Sequence, residues 1–373
     1  MPYIVQAKNV NEALGEGLSL LKKVAVKAPS RNGEVLVAPG PVITEYENPK
    51  DRVLFSPLRD ANPFFHLMEA LWMLGGHNDV AWPQQFNSKF GLYSDDGLTV
   101  HGAYGHRWRN HFGQDQLNHI IRLLRTEPTT RRAVLAMWHP EGDLWKRGTA
   151  YPASGVDLPC NTHIYFSIGL TGLDMTVCCR SNDIIWGAYG ANAVHMSILQ
   201  EYIAAAIGVP VGSYFQFSNN FHAYTNILAP EKYQEMIDSA YDYDYYGDAK
   251  LRNDWSAEEI VTRVPLVSVD MYAWQKDLNN FLAQALVPGQ IYHDPFFSHV
   301  AQPMLNAWRR RKNKQSDGLE EASAIVADDW RIACIGWIAR RIDKEVQPEE
   351  KQDAVSSGSD EREQLGADAG SAD

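Results

Sequence analysis

Between Asn161 and Cys179 the chain alternates apolar and polar residues on both sides of a turn. Ile164, Phe166, Ile168 and Leu170 lead into Thr171-Gly172, and Leu173, Met175 and Val177 lead out. A period of two flanking a turn dipeptide predicts a β-hairpin with one buried face. The open ends of a hairpin are neighbours in space, so Cys160, entered through Pro159, and Arg180 border one place although twenty residues separate them. A thiol at a strand start, behind a proline that restricts the incoming backbone, is both rigid and accessible. An adjacent guanidinium favours its thiolate, which is the nucleophilic form. A free cysteine taken alone is more often a small buried hydrophobe, so the choice rests on its surroundings.

Those surroundings run from Pro159-Cys160 through Arg180-Ser181-Asn182-Asp183, Gly187 and a helical segment over 191–207 to His222-Ala223-Tyr224. In this order and at this approximate spacing they resemble the thymidylate synthase family, which includes the deoxycytidylate hydroxymethylases. The resemblance covers residues 30–226. It implies an α+β fold with a large mixed β-sheet surrounded by helices, assembled through that sheet as a homodimer, with residues 1–346 as the catalytic domain. It implies that Cys160 attacks C6 of a pyrimidine nucleotide, that Arg180 and Ser181 bind this substrate, and that His222 and Tyr224 hold its sugar. Asp183 takes a part in catalysis and in binding the folate.

Upstream, Leu14, Leu18 and Leu21 at helical intervals predict a helix within the first thirty residues, and Ser30-Arg31-Asn32-Gly33 a turn before the alternating Val35-Leu36-Val37. Arg31 stands where the family carries an arginine that closes on the substrate phosphate. Asn62-Pro63 and Gly75-Gly76 bracket a helix as N-cap, first-turn proline and stop. Phe65, Glu69 and Trp72 share one of its faces, and a carboxylate among aromatic rings loses hydration and gains a pKa suited to proton transfer. Glu69-Ala70-Leu71-Trp72 resembles the family's Glu-x-x-Trp helix. Trp82, Phe86, Phe90 and Tyr93 supply aromatic surface, of which Trp82 is assigned to the folate, and Tyr104-Gly105-His106-Arg107-Trp108-Arg109 resembles a motif whose tyrosine joins the proton-transfer network.

Arg131-Arg132, just before the apolar run Ala133-Val134-Leu135, form two guanidinium forks of the kind that grip phosphate bidentately. In the family such a pair reaches across the two-fold axis into the partner's nucleotide site. Asn192 follows Gly187 one residue later than family spacing places the base-reading asparagine. An amide there suits uracil, whereas the hydroxymethylases of cytosine carry a carboxylate. A second departure is Cys160-Asn161-Thr162-His163 in place of Cys-His. Because positions 161 and 163 fall on one strand face, His163 is expected to serve from a shifted location.

Composition narrows the classes. At 373 residues and 45% hydrophobic content the chain can bury a substantial core. Four cysteines, two of them adjacent, form neither a disulfide framework nor a spaced metal site. No basic-then-apolar leader or long apolar run is seen, so no membrane partner and a cytoplasmic location are expected. The formal net charge of −12 disfavours nonspecific nucleic-acid binding. Half of that charge lies in 347–373, where eight acidic and two basic residues among Ser, Gly and Ala predict a disordered tail. Arg309-Arg310-Arg311-Lys312 reads as a solvated helix face, Val264 to Val269 as a strand, and Leu278 to Leu286 as a helix.

The implied reaction is folate-dependent one-carbon transfer to C5 of a pyrimidine nucleoside monophosphate through a covalent Cys160–C6 adduct, with 5,10-methylenetetrahydrofolate as cosubstrate and no metal. Hydride delivery to the resulting methylene would make thymidylate, and water would make a hydroxymethyl group. Thymidylate synthases end in an apolar closing segment where this chain has its acidic tail, which favours 5-hydroxymethylation of deoxyuridylate over thymidylate formation or hydroxymethylation of a cytidine nucleotide. Two rival classes remain at this stage: a cysteine hydrolase pairing Cys160 with His163 or His222, and a relative that binds nucleotide or RNA without catalysis.

Overall fold

A computed structural model of the chain describes residues 2–145, 155, 157–247, 262–284 and 291–346. In chain order, β1 (Tyr3–Ala7), α1 (Val10–Val24), β2 (Val26–Ser30), β3 (Gly33–Val37) and β4 (Val42–Tyr46) precede the central helix α2 (Pro63–Leu74). Then come α3 (Tyr104–Arg109), α4 (Gln116–Thr126), β5 (Val134–Ala136), the short α5 (Pro140–Asp143) and the hairpin β6 (Asn161–Ile168) and β7 (Leu173–Cys179). After β8 (Asn182–Asp183), a π-helical stretch (Ile184–Ala191) runs into α6 (Asn192–Ile207), followed by β9 (Val211–Ser218), β10 (Phe221–Tyr224) and α7 (Tyr233–Asp242). The remaining helices are α8 (Met271–Ala283), α9 (Gln302–Lys312), α10 (Leu319–Ser323) and α11 (Asp328–Val346).

Six strands form a mixed sheet in the order β1-β4-β9-β7-β6-β5, and four form a second sheet in the order β2-β3-β10-β8. The α+β class and the large mixed sheet flanked by helices agree with the expectation. The second sheet does not follow from any local pattern, since it joins β3 to β10 across half of the chain, pairing Val37 with His222 and Val35 with Tyr224. That pairing brings the Arg31 turn toward the residues after Cys179.

The helices begin and end where their caps dictate. The Asn9 side chain accepts from the backbone N–H groups of Asn11 and Glu12 at the start of α1, whose last turn carries Lys22 and Lys23. The Asn62 side chain accepts from Phe65 N–H, and every residue of α2 except Phe65 is buried. Such a helix is held by packing on all sides, chiefly against α6. α3 crosses α2 so closely that a Cβ on Gly105 would stand 2.0 Å from the Met73 carbonyl oxygen. Gly105→Ala is therefore expected to destabilise the fold by about 2–3 kcal/mol, since backbone and not a flexible side chain must move. Chemical denaturation checks this, and a shift under about 0.5 kcal/mol would contradict it.

Several expectations are corrected. Leu170 is fully exposed at the hairpin tip and does not continue the buried face. Residues 264–269 pair with no strand among the described residues: the N–H groups of Leu266, Ser268 and Val269 donate to the carboxylates of Glu201 and Asp294. α8 stops at Ala283, where Gln284 turns left-handed, and Leu286 lies outside the described residues, as does the acidic segment 347–373. On α9, Arg310 pairs with Glu321 and Lys312 donates to the Gln85 carbonyl, so this basic run is tied to its own fold.

Candidate active site

The hairpin ends meet as the alternation requires. Arg180 N–H donates to the Cys160 carbonyl at 2.9 Å, and the Arg180 guanidinium donates to the carbonyls of Pro159 and Leu158 at 3.0 and 2.9 Å while lying over the Trp138 ring. Cys160 thus sits at the head of a cleft of about 770 Å³. Arg31, Arg180, Ser181, Asp183, Asn192 and Tyr224 line it as well. His222 is buried behind Tyr224, with ring centroids 5.1 Å apart.

Burial pushes the Cys160 thiol above its ordinary range; Arg180 pulls it down, Asp157 pushes it up and Arg31 pulls it down. The expectation that an arginine leaves this thiol acidic is thereby corrected, because dehydration at the cleft head outweighs both guanidinium groups.

A second cavity, about 220 Å³, opens from the cleft and shares Tyr93, Tyr104, Asp157, Trp186 and Asn192 with it. Its walls include the Phe65, Glu69 and Trp72 face of α2. Burial and the charge of Asp157 raise the Glu69 carboxyl to about 8. Tyr104, at the start of α3, is held far above its usual range by burial and the nearby Cys160, and it receives a hydrogen bond from the Asn161 backbone.

The stretch Ile184–Ala191 is kinked at Tyr189 and Gly190, where the backbone leaves helical geometry, and Asn192, which opens α6 after this kink, lines both the cleft and the inner cavity. Its Nδ2 donates to Asn182 Oδ1 at 3.2 Å and its Oδ1 accepts from Asn161 Nδ2 at 3.4 Å. Asp183 caps this stretch, its Oδ1 accepting from the N–H groups of Ile185 and Trp186, while its Oδ2 is buried without a partner among the described residues. Burial raises its pKa against the opposing effects of the Trp186 N–H, His222 and Arg59.

Other expected residues are not brought to the cleft. A bulge between Asn161 and His163 breaks the parity of β6: Asn161 is buried toward Asn192 and accepts from the Cys179 thiol, whereas His163 stacks with Tyr165 on the opposite, exposed side. His163 therefore cannot replace a histidine beside Cys160. Trp82 is buried in the core, its indole N–H donating to the Met68 carbonyl and its ring against Phe86 and Phe281, so Trp72, Phe90, Tyr93 and Trp186 form the aromatic wall in its place. Arg131 and Arg132 are exposed and away from this chain's own cleft, with Arg132 bridged to Glu127 at 2.8 Å. Two site residues escaped the sequence reading, Asp157 and His195. Each carries a weak signal, a carboxylate three residues before Cys160 and an imidazole one helical turn after Asn192.

Among the described residues no group of His, Cys, Asp and Glu is arranged to hold a metal ion, and no helix is long and apolar enough to cross a membrane.

Comparison with known proteins places this geometry among relatives. The family model described as thymidylate synthase matches residues 58–241. A deoxyuridylate hydroxymethyltransferase of Pseudomonas phage M6 is 45% identical over 344 residues, 91% of this chain and 94% of the relative. A deoxyuridylate hydroxymethyltransferase of Bacillus phage SP01 is 32% identical over 76% of this chain and 77% of its own length. A putative thymidylate synthase of Methanothermobacter thermautotrophicus is 31% identical over 45% of this chain and 72% of its own length.

Proposed function

The chain belongs to the thymidylate synthase family, and from that premise we propose that it transfers a one-carbon unit from 5,10-methylenetetrahydrofolate to C5 of deoxyuridylate, leaving a hydroxymethyl group. The observation that carries this reading is the likeness over nine-tenths of the chain to a protein named for that reaction, joined to a cleft in which Cys160, Asn192 and two arginines converge.

Cys160 adds to C6 of the pyrimidine, which makes C5 nucleophilic. Arg31 and Arg180 hold the phosphate, Ser181 and Tyr224 the rest of the nucleotide with His222 behind, and Asn192 the base edge. Glu69 and Tyr104 move protons at the ring. The aromatic inner cavity and the unpaired Asp183 Oδ2 suit a flat heteroaromatic ring with N–H donors, so these groups would hold the folate, which supplies the one-carbon unit. The cavity next to the base carries Glu69, Asp157 and His195. These three polar groups in an otherwise aromatic wall can hold a water there, which supports water over a hydride as the group that completes C5.

Exposed Ile4, Val134 and Tyr165 on one side of the large sheet support a homodimer. Seating a second copy there would carry Arg131 and Arg132 toward the partner's phosphate. Cys160→Ser and the double Arg131→Ala, Arg132→Ala chain are each expected to be inactive, and their mixture to recover about a quarter of normal activity, because half of the random dimers regain one complete site. A mixture no more active than its parts would refute the exchange.

Mass analysis of products from deoxyuridylate and deoxycytidylate with methylenetetrahydrofolate, while dihydrofolate is followed, tests the reaction. A hydroxymethylated deoxyuridylate without dihydrofolate is expected. A methylated product with dihydrofolate would make the chain a thymidylate synthase.

A further inference from the structure

The inner cavity contains a buried imidazole to which the chemistry above gives no task. His195 is 2% exposed and forms part of the cavity wall. Its Nε2 lies 3.3 Å from Glu69 Oε2, yet has no hydrogen-bond partner among the described residues. A hydrogen bond to the His66 backbone engages the ring from the other side. A backbone carbonyl accepts, so the N–H is on Nδ1 and Nε2 presents a bare lone pair to Glu69. Burial holds the imidazole neutral, down to about 3, and burial with the Asp157 charge keeps the Glu69 carboxyl protonated to about 8. At neutral pH the pair therefore holds one proton, located on the carboxyl group. The other titratable groups around it include His66 on α2, kept neutral by burial, Asp157, Tyr93 and Tyr104.

We propose that His195 is a positioning residue for the water that completes the reaction: it draws the Glu69 carboxyl proton onto Nε2, which leaves the second Glu69 oxygen as an acceptor for that water. This rests on the hydroxymethyl reading. As the water oxygen bonds to the exocyclic methylene carbon, the C5–methylene π electrons move into the ring as an enolate. The water proton passes to Glu69, and the Glu69 proton passes to His195. Collapse of the enolate re-forms C5=C6 and expels the Cys160 sulfur, which takes up one proton as the relay returns the other to Glu69. The balance is one water added as hydroxyl on the methylene carbon and hydrogen on sulfur, with no oxidation or reduction.

Two readouts on one substrate separate this step from those before it. Release of a hydrogen isotope from C5 reports adduct formation and one-carbon transfer, and the hydroxymethyl product reports water capture. His195→Asn is expected to keep isotope release within about threefold while hydroxymethyl formation falls about 100-fold, with an added small thiol capturing the stranded methylene. A variant in which the two fall together, or neither falls, overturns the assignment. Absence of isotope release from the unaltered protein would instead refute the underlying reaction. If the variant does not fold, imidazole nitrogen NMR of the unaltered protein decides: His195 protonated on Nδ1 is required, and a proton on Nε2 overturns the proposal.

Discussion

Replacing Cys160 by serine is expected to lower product formation by about 10⁴-fold or more while nucleotide affinity changes by less than about threefold. The residues assigned to phosphate, sugar and base are contributed by the β7–β8 connection, α6, β10 and the Arg31 turn, and Arg180, which bonds the carbonyls of Leu158, Pro159 and Cys160, does not depend on the sulfur for position. A serine hydroxyl ionises far less readily than a thiol, and neither His163, on the other side of the sheet, nor the buried His222 is placed to act as its base. The same facts remove the support for a cysteine–histidine hydrolase. Turnover by the serine variant within about tenfold of normal would mean that Cys160 is not the nucleophile. The unaltered protein should show a pH dependence set by two opposed groups. Thiolate accumulates as pH rises toward the elevated range of Cys160, whereas Glu69 gives up the proton it needs above about 8. Activity is expected to climb through neutrality and turn down on the alkaline side.

Local chemistry made much of this site legible in advance. Period-two alternation located the β6–β7 hairpin and so the meeting of Cys160 with Arg180, and the Asn62-Pro63 cap with the Gly75-Gly76 stop located the helix that presents Glu69. What escaped was set by partners distant in sequence. A bulge is invisible to alternation, since one extra residue after Asn161 reverses the side on which His163 emerges. Aromatic spacing cannot tell which rings face a cavity, so Trp82, enclosed by Phe86 and Phe281, was exchanged for Trp72 and Trp186. Nothing local announces that Val264 to Val269 will satisfy its backbone with the carboxylates of Glu201 and Asp294 in place of a neighbouring strand. Asn192 is the instructive case. Counting along the sequence puts it one residue late, and the segment before it, kinked at Tyr189 and Gly190, still leaves Asn192 on the cleft wall.

Asn192→Asp is expected to lower kcat/KM for deoxyuridylate by about 100- to 1,000-fold and to raise that for deoxycytidylate, inverting the preference. The argument begins behind the residue. The Asn182 Nδ2 donates at 2.9 Å to both Gln216 Oε1 and Ser218 Oγ, which turns its Oδ1 toward Asn192. Gln216 is oriented in turn by its own donation to the Tyr214 hydroxyl at 2.9 Å. On the other flank, Asn161 Oδ1 accepts from the Cys179 thiol, so its Nδ2 faces Asn192 Oδ1. The Asn192 amide is therefore locked in one polarity, with one N–H and one lone pair left for the base. Uracil and cytosine offer opposite patterns at O4/N4 and N3, and an amide that cannot flip serves one of them. A carboxylate has no N–H for uracil O4 and sets an oxygen against Asn182 Oδ1, whereas the amino group of cytosine gains an acceptor. Because a donor or acceptor stranded in a buried site costs far more than a missing apolar contact, the change should act on the choice of base while C5 chemistry, carried by Cys160 and Glu69, continues. Competition between the two nucleotides, with both products counted in one reaction, measures the inversion. A variant that still prefers deoxyuridylate would show that base selection lies elsewhere in the cleft, with Asp157 and Tyr104 the next groups to alter.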